Sequence, residues 1–259
     1  MFAPMKGIIL AGGTGSRLAP LNRTNNKHLL PIGREPMIFY PLKKLIRAGI
    51  NEILIVTGTE HMGKMVDVLG SGSEWNAEFT YRVQDKAGGI AQALGLARNF
   101  VHGEKMVVML GDNVFEDDLT PFVQRFATQG RGARIVLKEV EDPHRFGVAE
   151  VKDGKVVSIE EKPQKPKSNL CVTGIYMYDA QAFEIVTTLK PSGRGELEIT
   201  DVNNAYIQRG ELQYEILNGW WTDAGTFESL LRATNLAAQT GTNKIPNRGS
   251  APRPALVSE

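Results

Sequence analysis

The residues able to do chemistry fall in four short stretches. Gly12, Gly13 and Gly15 follow the apolar run "GIILA" at 7–11, and Arg17 comes directly after them. Lys27 lies ten residues beyond that arginine. Two carboxylates, Asp112 in "VVMLGD" and Asp223 in "WWTDAGT", lie far apart in the chain. Lys162 follows two glutamates in "EEKP". A glycine turn between a strand and a helix aims backbone N–H groups outward, and without Cβ atoms phosphate oxygens approach them closely. Arg17 adds a fixed cationic fork. Asp112, at the end of an expected strand, suits a hard cation that prefers oxygen ligands. Each residue alone has an ordinary reading: a tight turn, a capping aspartate, a solvated lysine.

The common phosphate loops do not account for the first stretch. A Walker loop needs GxxxxGK[ST], which the chain lacks. A dinucleotide fingerprint needs a third glycine where Leu18 stands, and an acid about twenty residues on, where the chain reads "NNKHLLPI". A nicotinamide oxidoreductase is disfavoured on that ground.

The order of motifs resembles the sugar-1-phosphate nucleotidyltransferases. The stretches that carry the likeness are "LAGGTGSRL", "KHLLPIGREPMIFYPL", "GGIAQAL", "LGDNVF", "EEKPQKPKSN", "VTGIY", "GELEITDVN" and "WWTDAGT", spread over about residues 5 to 240. The resemblance implies attack by a sugar-1-phosphate oxygen on the α-phosphorus of a nucleoside triphosphate, with release of pyrophosphate. It assigns Leu10, Gly12, Gly13, Gly15, Ser16, Arg17, Lys27, His28, Gln84, Gly89 and Asp112 to the nucleotide. Gly147, Glu161, Lys162 and Val172 are assigned to the sugar phosphate, Arg17, Lys27 and Lys162 to catalysis, and Asp112 and Asp223 to Mg²⁺. The likeness is greatest to members that join dTTP to glucose 1-phosphate. A UTP-dependent uridylyltransferase and a catalytically idle sugar-nucleotide sensor are the alternatives. Retention of Arg17, Lys27, Asp112, Lys162 and Asp223 argues against the sensor. Members of the family commonly form homo-dimers or homo-tetramers, so a homo-oligomer is expected.

Two positions concern the base and its neighbour. The amide of Gln84 offers a donor and an acceptor together, which matches the O4 and N3–H edge of thymine or uracil. His28 stands where many members have glutamine; a histidine there is expected to donate to a phosphate with a charge that follows pH.

These residues need a scaffold. The first 112 residues alternate strand and helix: strands at 7–11, 52–58, 79–84 and 105–112, with helices at 37–49, 61–70 and 89–100. The strands are apolar on both faces, which suits a parallel sheet covered on both sides. The expected fold is α/β: a Rossmann-like, doubly wound, mostly parallel sheet, followed by a mixed part that holds the sugar. In that part "GVAEVKDGKVVSIEEKP" (147–163) reads as a hairpin turning at Asp153-Gly154. A strand at 172–179, helices at 180–189 and 197–209, a strand at 212–217 and a helix at 226–240 complete it. One domain over 1–241 is expected, with a nucleotide part at about 5–112 and a sugar-phosphate part at about 113–241. Residues 242–259 read as a proline-containing tail.

Composition limits the partners. The 259 residues carry a formal net charge of +1, so no overall field draws the chain to nucleic acid or to a membrane. No run of 18 apolar residues occurs. The one cysteine, Cys171, excludes a disulfide framework and reads as a small buried hydrophobe in a reducing, cytoplasmic setting.

Overall fold

A computed structural model of the chain describes residues 4–13, 15–21 and 25–240. The expected tail lies outside the described residues.

The first strand, Met5–Ala11, sits between Glu52–Gly58 and Lys105–Leu110 and is parallel to both. Glu78–Gln84 extends the sheet beyond Glu52–Gly58, again in parallel. Side chains alternate strictly across this sheet. Ile8, Leu10, Leu54, Val56, Met106 and Val108 enter the core on one face. Ile9, Ala11, Ile53, Ile55, Val107 and Met109 enter the core on the other. Burial of both faces is why these strands are apolar throughout. The helices Phe39–Arg47 and Met62–Leu69 contribute Leu42, Leu45, Met65 and Leu69 to the second face.

Beyond Lys105–Leu110 the sheet turns antiparallel. Leu170–Tyr178 pairs with Lys105–Leu110 on one side and with Ala133–Glu139 on the other. The hairpin Gly147–Lys152 and Lys155–Glu161 joins through Cys171 opposite Val148. Its turn is Asp153-Gly154, both at positive φ, as a two-residue hairpin loop requires. Leu212–Ile216 closes the far edge against Ala133–Glu139. One nine-stranded sheet therefore runs through both halves of the chain.

Two expectations need correction. The helix expected over 89–100 is two, Ile90–Gly95 and Arg98–Val101. The ladder tightens to three-residue bonds at Leu96 and Ala97, just past Gly95. That glycine lets the helix Gln181–Thr188 approach: an ideal Cβ there would meet Val186 Cγ1 at 3.2 Å. The strand expected over 105–112 ends at Leu110, so Asp112 is not a strand residue. The chain instead starts a second, two-stranded sheet, Asn113–Phe115 against Trp221–Asp223. The helix Thr120–Thr128 and the strand Ala133–Glu139 were not legible in the sequence. Cys171 is fully buried, and burial pushes its thiol up to about 12, as for an inert core residue.

Candidate active site

A cleft opens at the carboxyl ends of Met5–Ala11 and Lys105–Leu110. From the first strand the chain goes on to Glu52–Gly58 beside it, and from Lys105–Leu110 to the strands on the other side of that pair, and where strand order diverges in this way a crevice opens between the loops that follow. Of the expected residues, Leu10, Gly12, Gly13, Arg17, Lys27, His28, Gln84, Gly89, Asp112, Gly147, Glu161, Lys162, Val172 and Asp223 all line it. Gly15 and Ser16 do not. Gly15, at φ 63°, starts the short turn Ser16–Leu18 that brings Arg17 into the cleft.

The glycine loop is held close to the elements around it. An ideal Cβ on Gly12 would stand 2.4 Å from Gln84 Oε1, and one on Gly15 would stand 3.0 Å from Lys27 Cβ. Lys27 is placed by its neighbour Asn26, which is buried. Asn26 Nδ2 donates to Ala11 O at 3.1 Å and to Thr57 Oγ1 at 3.2 Å, which ties the turn to the ends of two strands. Lys27 Nζ then reaches Asp112 Oδ2 at 2.5 Å.

His28 has a different character from the one expected. It is 2% exposed, and its Nδ1 lies 2.6 Å from Asn26 Oδ1. That oxygen can only accept, so Nδ1 carries the proton. Burial, reinforced by Lys27, pushes the imidazole down to about 3, against the pull of Asp112. It is therefore neutral at physiological pH, and Nε2 is an acceptor. A pH-dependent phosphate donor does not fit this geometry.

Asp112 and Asp223 are brought together by the small second sheet. Asp223 pairs in register with Asn113, and Ala224 N–H donates to Asp112 O at 2.8 Å. Asn113, 2% exposed, joins three elements. Its Nδ2 donates to Asp112 Oδ1 at 3.0 Å, while its Oδ1 accepts from Gly174 N at 2.9 Å and Trp221 Nε1 at 2.7 Å. Behind this segment, the buried Lys44 donates to Glu116 O at 2.8 Å and Asp117 O at 2.6 Å.

The two carboxylates titrate in opposite directions. Burial would raise Asp112, but the Lys27 ammonium, with His28 and the hydrogen bonds from Lys27 and Asn113, holds it well below the usual carboxylate range. Asp223 is pushed up to about 6, first by burial and then by repulsion from Asp112, against Arg145, Arg17 and Lys27. Arg145 Nη2 lies 3.6 Å from Asp223 Oδ1. Arg17 lies over bare backbone beside it, since an ideal Cβ on Gly225 would meet Arg17 Nη2 at 3.1 Å and Asp223 Oδ2 at 3.5 Å. Two carboxylates that repel each other in a partly desolvated cleft form a donor set that a hard divalent cation would relieve.

At the other end, Glu161 Oε2 accepts from Thr200 Oγ1 at 2.7 Å, and its Oε1 lies 3.4 Å from Arg194 Nη2. Arg194 is itself braced by Glu198 at 2.8 Å. Lys162 follows the strand Lys155–Glu161 at φ 46°, a left-handed conformation that costs a lysine energy, and its N–H donates to Phe146 O at 2.9 Å. Gly147 faces this pair: an ideal Cβ there would lie 3.4 Å from both Glu161 Oε2 and Thr200 Oγ1.

Gln84 is 7% exposed and committed more narrowly than expected. Its Nε2 donates to Gln92 Oε1 at 2.6 Å and to Gly89 O at 3.3 Å. Both amide hydrogens are thus engaged, and only the carbonyl remains for a ligand. Gly89, at φ 101°, is demanded by packing as much as by any base: an ideal Cβ would stand 2.4 Å from Leu197 O. Sequence reasoning missed Asn26, Gln92, Asn113, Arg145, Arg194 and Thr200. Asn113 and Thr200 lie inside quoted motifs, so adjacency could have flagged them; Arg145 carries no local signal.

Known proteins resemble this chain over most of its length. A glucose-1-phosphate thymidylyltransferase from Neisseria meningitidis serogroup A is 45% identical over 235 residues, covering 89% of this chain and 82% of that protein. A solved structure of a candidate glucose-1-phosphate thymidylyltransferase from Bacillus anthracis, in complex with sucrose, is 57% identical with a TM-score of 0.88, covering 95% of this chain and 98% of that one. A UDP-glucose pyrophosphorylase complexed with UDP-glucose shares the fold, with a TM-score of 0.82 at 23% identity over 92% of this chain and 99% of that one. The model of the family described as Nucleotidyl transferase matches residues 6–240, from the first strand through the last described helix, and the chain belongs to that family.

Proposed function

We propose that this chain joins dTTP to α-D-glucose 1-phosphate, forming dTDP-glucose and pyrophosphate. The observation that carries the reading is the continuous cleft with its two ends. The glycine loop, Arg17 and Lys27 stand at one end and Glu161 and Lys162 at the other, with Asp112 and Asp223 also lining it. The relatives of known name, at 45% and 57% identity, support the choice of dTTP and glucose 1-phosphate.

The residues then divide the work. Bare N–H groups of the glycine loop, Arg17 and Lys27 offset the triphosphate charge and favour departure of pyrophosphate. Lys162 offsets the phosphate of the sugar phosphate, so that its oxygen can approach the α-phosphorus in line. Glu161, oriented by Thr200 and Arg194, accepts from sugar hydroxyls. No nucleophile from the protein is required.

Among the described residues no group of three or more His, Cys, Asp and Glu side chains gathers into a ready-made metal cage. Two carboxylates suit Mg²⁺, which takes few protein ligands and completes its shell with water and phosphate oxygens. Asp112 and Asp223 would hold it, and it would supply charge neutralisation at the α-phosphate. Lys27, already on Asp112, would be freed to turn toward the triphosphate.

The free carbonyl of Gln84 accepts an N3–H, which uracil and thymine share, so UTP is the second reading. No helix among the described residues is long and apolar enough to cross a membrane. The test is a pyrophosphate-release matrix of dTTP, UTP, CTP, ATP and GTP against several sugar 1-phosphates, with Mg²⁺ or with chelator. Turnover is expected with dTTP and glucose 1-phosphate, weaker with UTP, and lost with chelator. Equal rates with dTTP and GTP would overturn the base assignment, and UTP ahead of dTTP would favour the second reading.

A further inference from the structure

We infer that Gln92 is a positioning residue that selects the base by fixing the polarity of the Gln84 amide; the inference rests on the nucleotide site proposed above. A glutamine amide presents either its oxygen or its NH₂ to a cleft, and rotation by half a turn exchanges them. Here the choice is made by backbone groups whose polarity is fixed. Gly88 N–H donates to Gln92 Oε1 at 3.3 Å, so the atom of Gln92 facing that side is the oxygen. The same oxygen accepts from Gln84 at 2.6 Å, so the facing atom of Gln84 is its nitrogen. That nitrogen also donates to Gly89 O at 3.3 Å, and a carbonyl can only accept. Two backbone groups, one donor and one acceptor, thus set both side chains consistently.

The packing preserves the arrangement. An ideal Cβ on Gly88 would stand 2.7 Å from Gln92 Cδ, so the bare loop lets the Gln92 amide lie against it. Gln84 Oε1 points to the bare backbone of Gly12, and Gln84 lines the cleft while Gln92 does not. Gln92 therefore acts through Gln84 rather than by touching a base.

The chemical consequence is a preference for a ring N–H over a ring lone pair. Uracil and thymine carry a proton on N3 and match the uncommitted carbonyl. Cytosine has a lone pair at N3, which faces the carbonyl repulsively. Reversing Gln84 would suit cytosine, but it would set NH₂ against the glycine loop and oxygen against both Gln92 Oε1 and Gly89 O. A site that leaves buried polar groups mispaired rejects a ligand strongly.

The experiment compares kcat/KM for dTTP, UTP and CTP in the wild type, Gln92→Met and Gln92→Glu, each checked by thermal melting. Met keeps the length but removes the acceptor, and the dTTP-to-CTP ratio is expected to fall at least tenfold. The dTTP-to-UTP ratio is expected to stay within about twofold, because both bases carry N3–H. Glu restores an acceptor oxygen to Gly88 N–H and Gln84 Nε2, and its dTTP-to-CTP ratio is expected to remain near the wild-type value. A Gln92→Met protein that keeps the wild-type dTTP-to-CTP ratio overturns the inference while leaving the proposed function intact. If Gln92→Met fails to fold, loss of the ratio in Gln92→Glu overturns it instead. A wild type with no preference for dTTP or UTP over CTP overturns the proposed function and this inference together.

Discussion

Replacing Asp223 by Asn should separate stability from activity. In metal-free protein the ionised Asp223 carboxylate faces Asp112 in a partly buried cleft, and its pKa is pushed up to about 6 from 3.8. A carboxyl group whose folded-state pKa is raised binds its proton more tightly in the native state. The contribution it makes to stability is fully present below the unfolded value of 3.8 and is lost as pH rises through about 6. A shift of about two units corresponds to about 3 kcal/mol, an upper bound because the side chain keeps 20% exposure. Asn has the same shape and no charge, so it removes the penalty. At pH 8 in chelator, Asp223→Asn should melt several degrees above the wild type, since about 1 kcal/mol moves Tm by roughly 2–4 °C at this size. At pH 5, between the unfolded value of 3.8 and the folded value of about 6, the difference should shrink to about half, and it should nearly vanish only below 3.8. Mg²⁺ should raise the wild-type Tm at pH 8 and leave the variant almost unmoved, while the variant loses most pyrophosphate release. The assay is differential scanning fluorimetry across pH, with and without Mg²⁺. A variant less stable than the wild type at pH 8 in chelator, or a difference independent of pH, would refute the reasoning.

Other consequences follow from the same geometry. Asn113→Ala strands the Gly174 N–H and the Trp221 Nε1–H in the interior, at about 1–3 kcal/mol each, so urea unfolding should show a loss of several kcal/mol; a loss below about 1 kcal/mol would contradict its role as a hub. Lys162→Ala should raise KM for glucose 1-phosphate far more than KM for dTTP, whereas Arg17→Ala should depress kcat with either substrate saturating; indistinguishable kinetics would show the roles wrongly divided. Gly89→Ala forces a Cβ against Leu197 O at 2.4 Å and should raise KM for dTTP at least tenfold, read by initial rates. His28 is neutral through the physiological range, so His28→Asn should leave the pH profile of kcat unchanged in shape between pH 6 and 9; disappearance of a limb would overturn its assignment as a buried acceptor.

The alternating half of the fold was legible because each strand must bury both faces. The run "EILIVTG" has no polar face to mislead, and the expected 52–58 is the observed strand Glu52–Gly58. The hairpin at Asp153-Gly154 was legible for a local reason, since two left-handed residues between alternating runs leave few other structures. The end of the strand at Leu110 was not, because "VVMLGD" keeps its apolar pattern to the turn while Asn113–Phe115 finds its partner more than a hundred residues away. The helix over 89–100 looked continuous because the break at Gly95 depends on how closely Val186 approaches.

The site shows the same division. Residue types at Arg17, Lys27, Asp112, Lys162 and Asp223 were visible from motif order, and the structure brings all five into one cleft. What motif order could not supply was the state of each group. Neutrality of His28 follows from its burial and from Lys27, its tautomer from Asn26, and the single free face of Gln84 from Gln92 and two backbone groups. Arg194, in the loop before Ile199–Gln208, meets Glu161 across a sequence separation of 33 residues. These are properties of the packed neighbours rather than of residue type.

The most direct test of the account follows the phosphorus atoms. dTTP labelled at the α-phosphorus, incubated with glucose 1-phosphate, Mg²⁺ and the full chain, should transfer its label to a product that co-migrates with dTDP-glucose. dTTP labelled at the γ-phosphorus should release its label as pyrophosphate. Label from the γ-position in a sugar product, or no sugar nucleotide from either substrate, would contradict attack at the α-phosphorus and with it the proposed function.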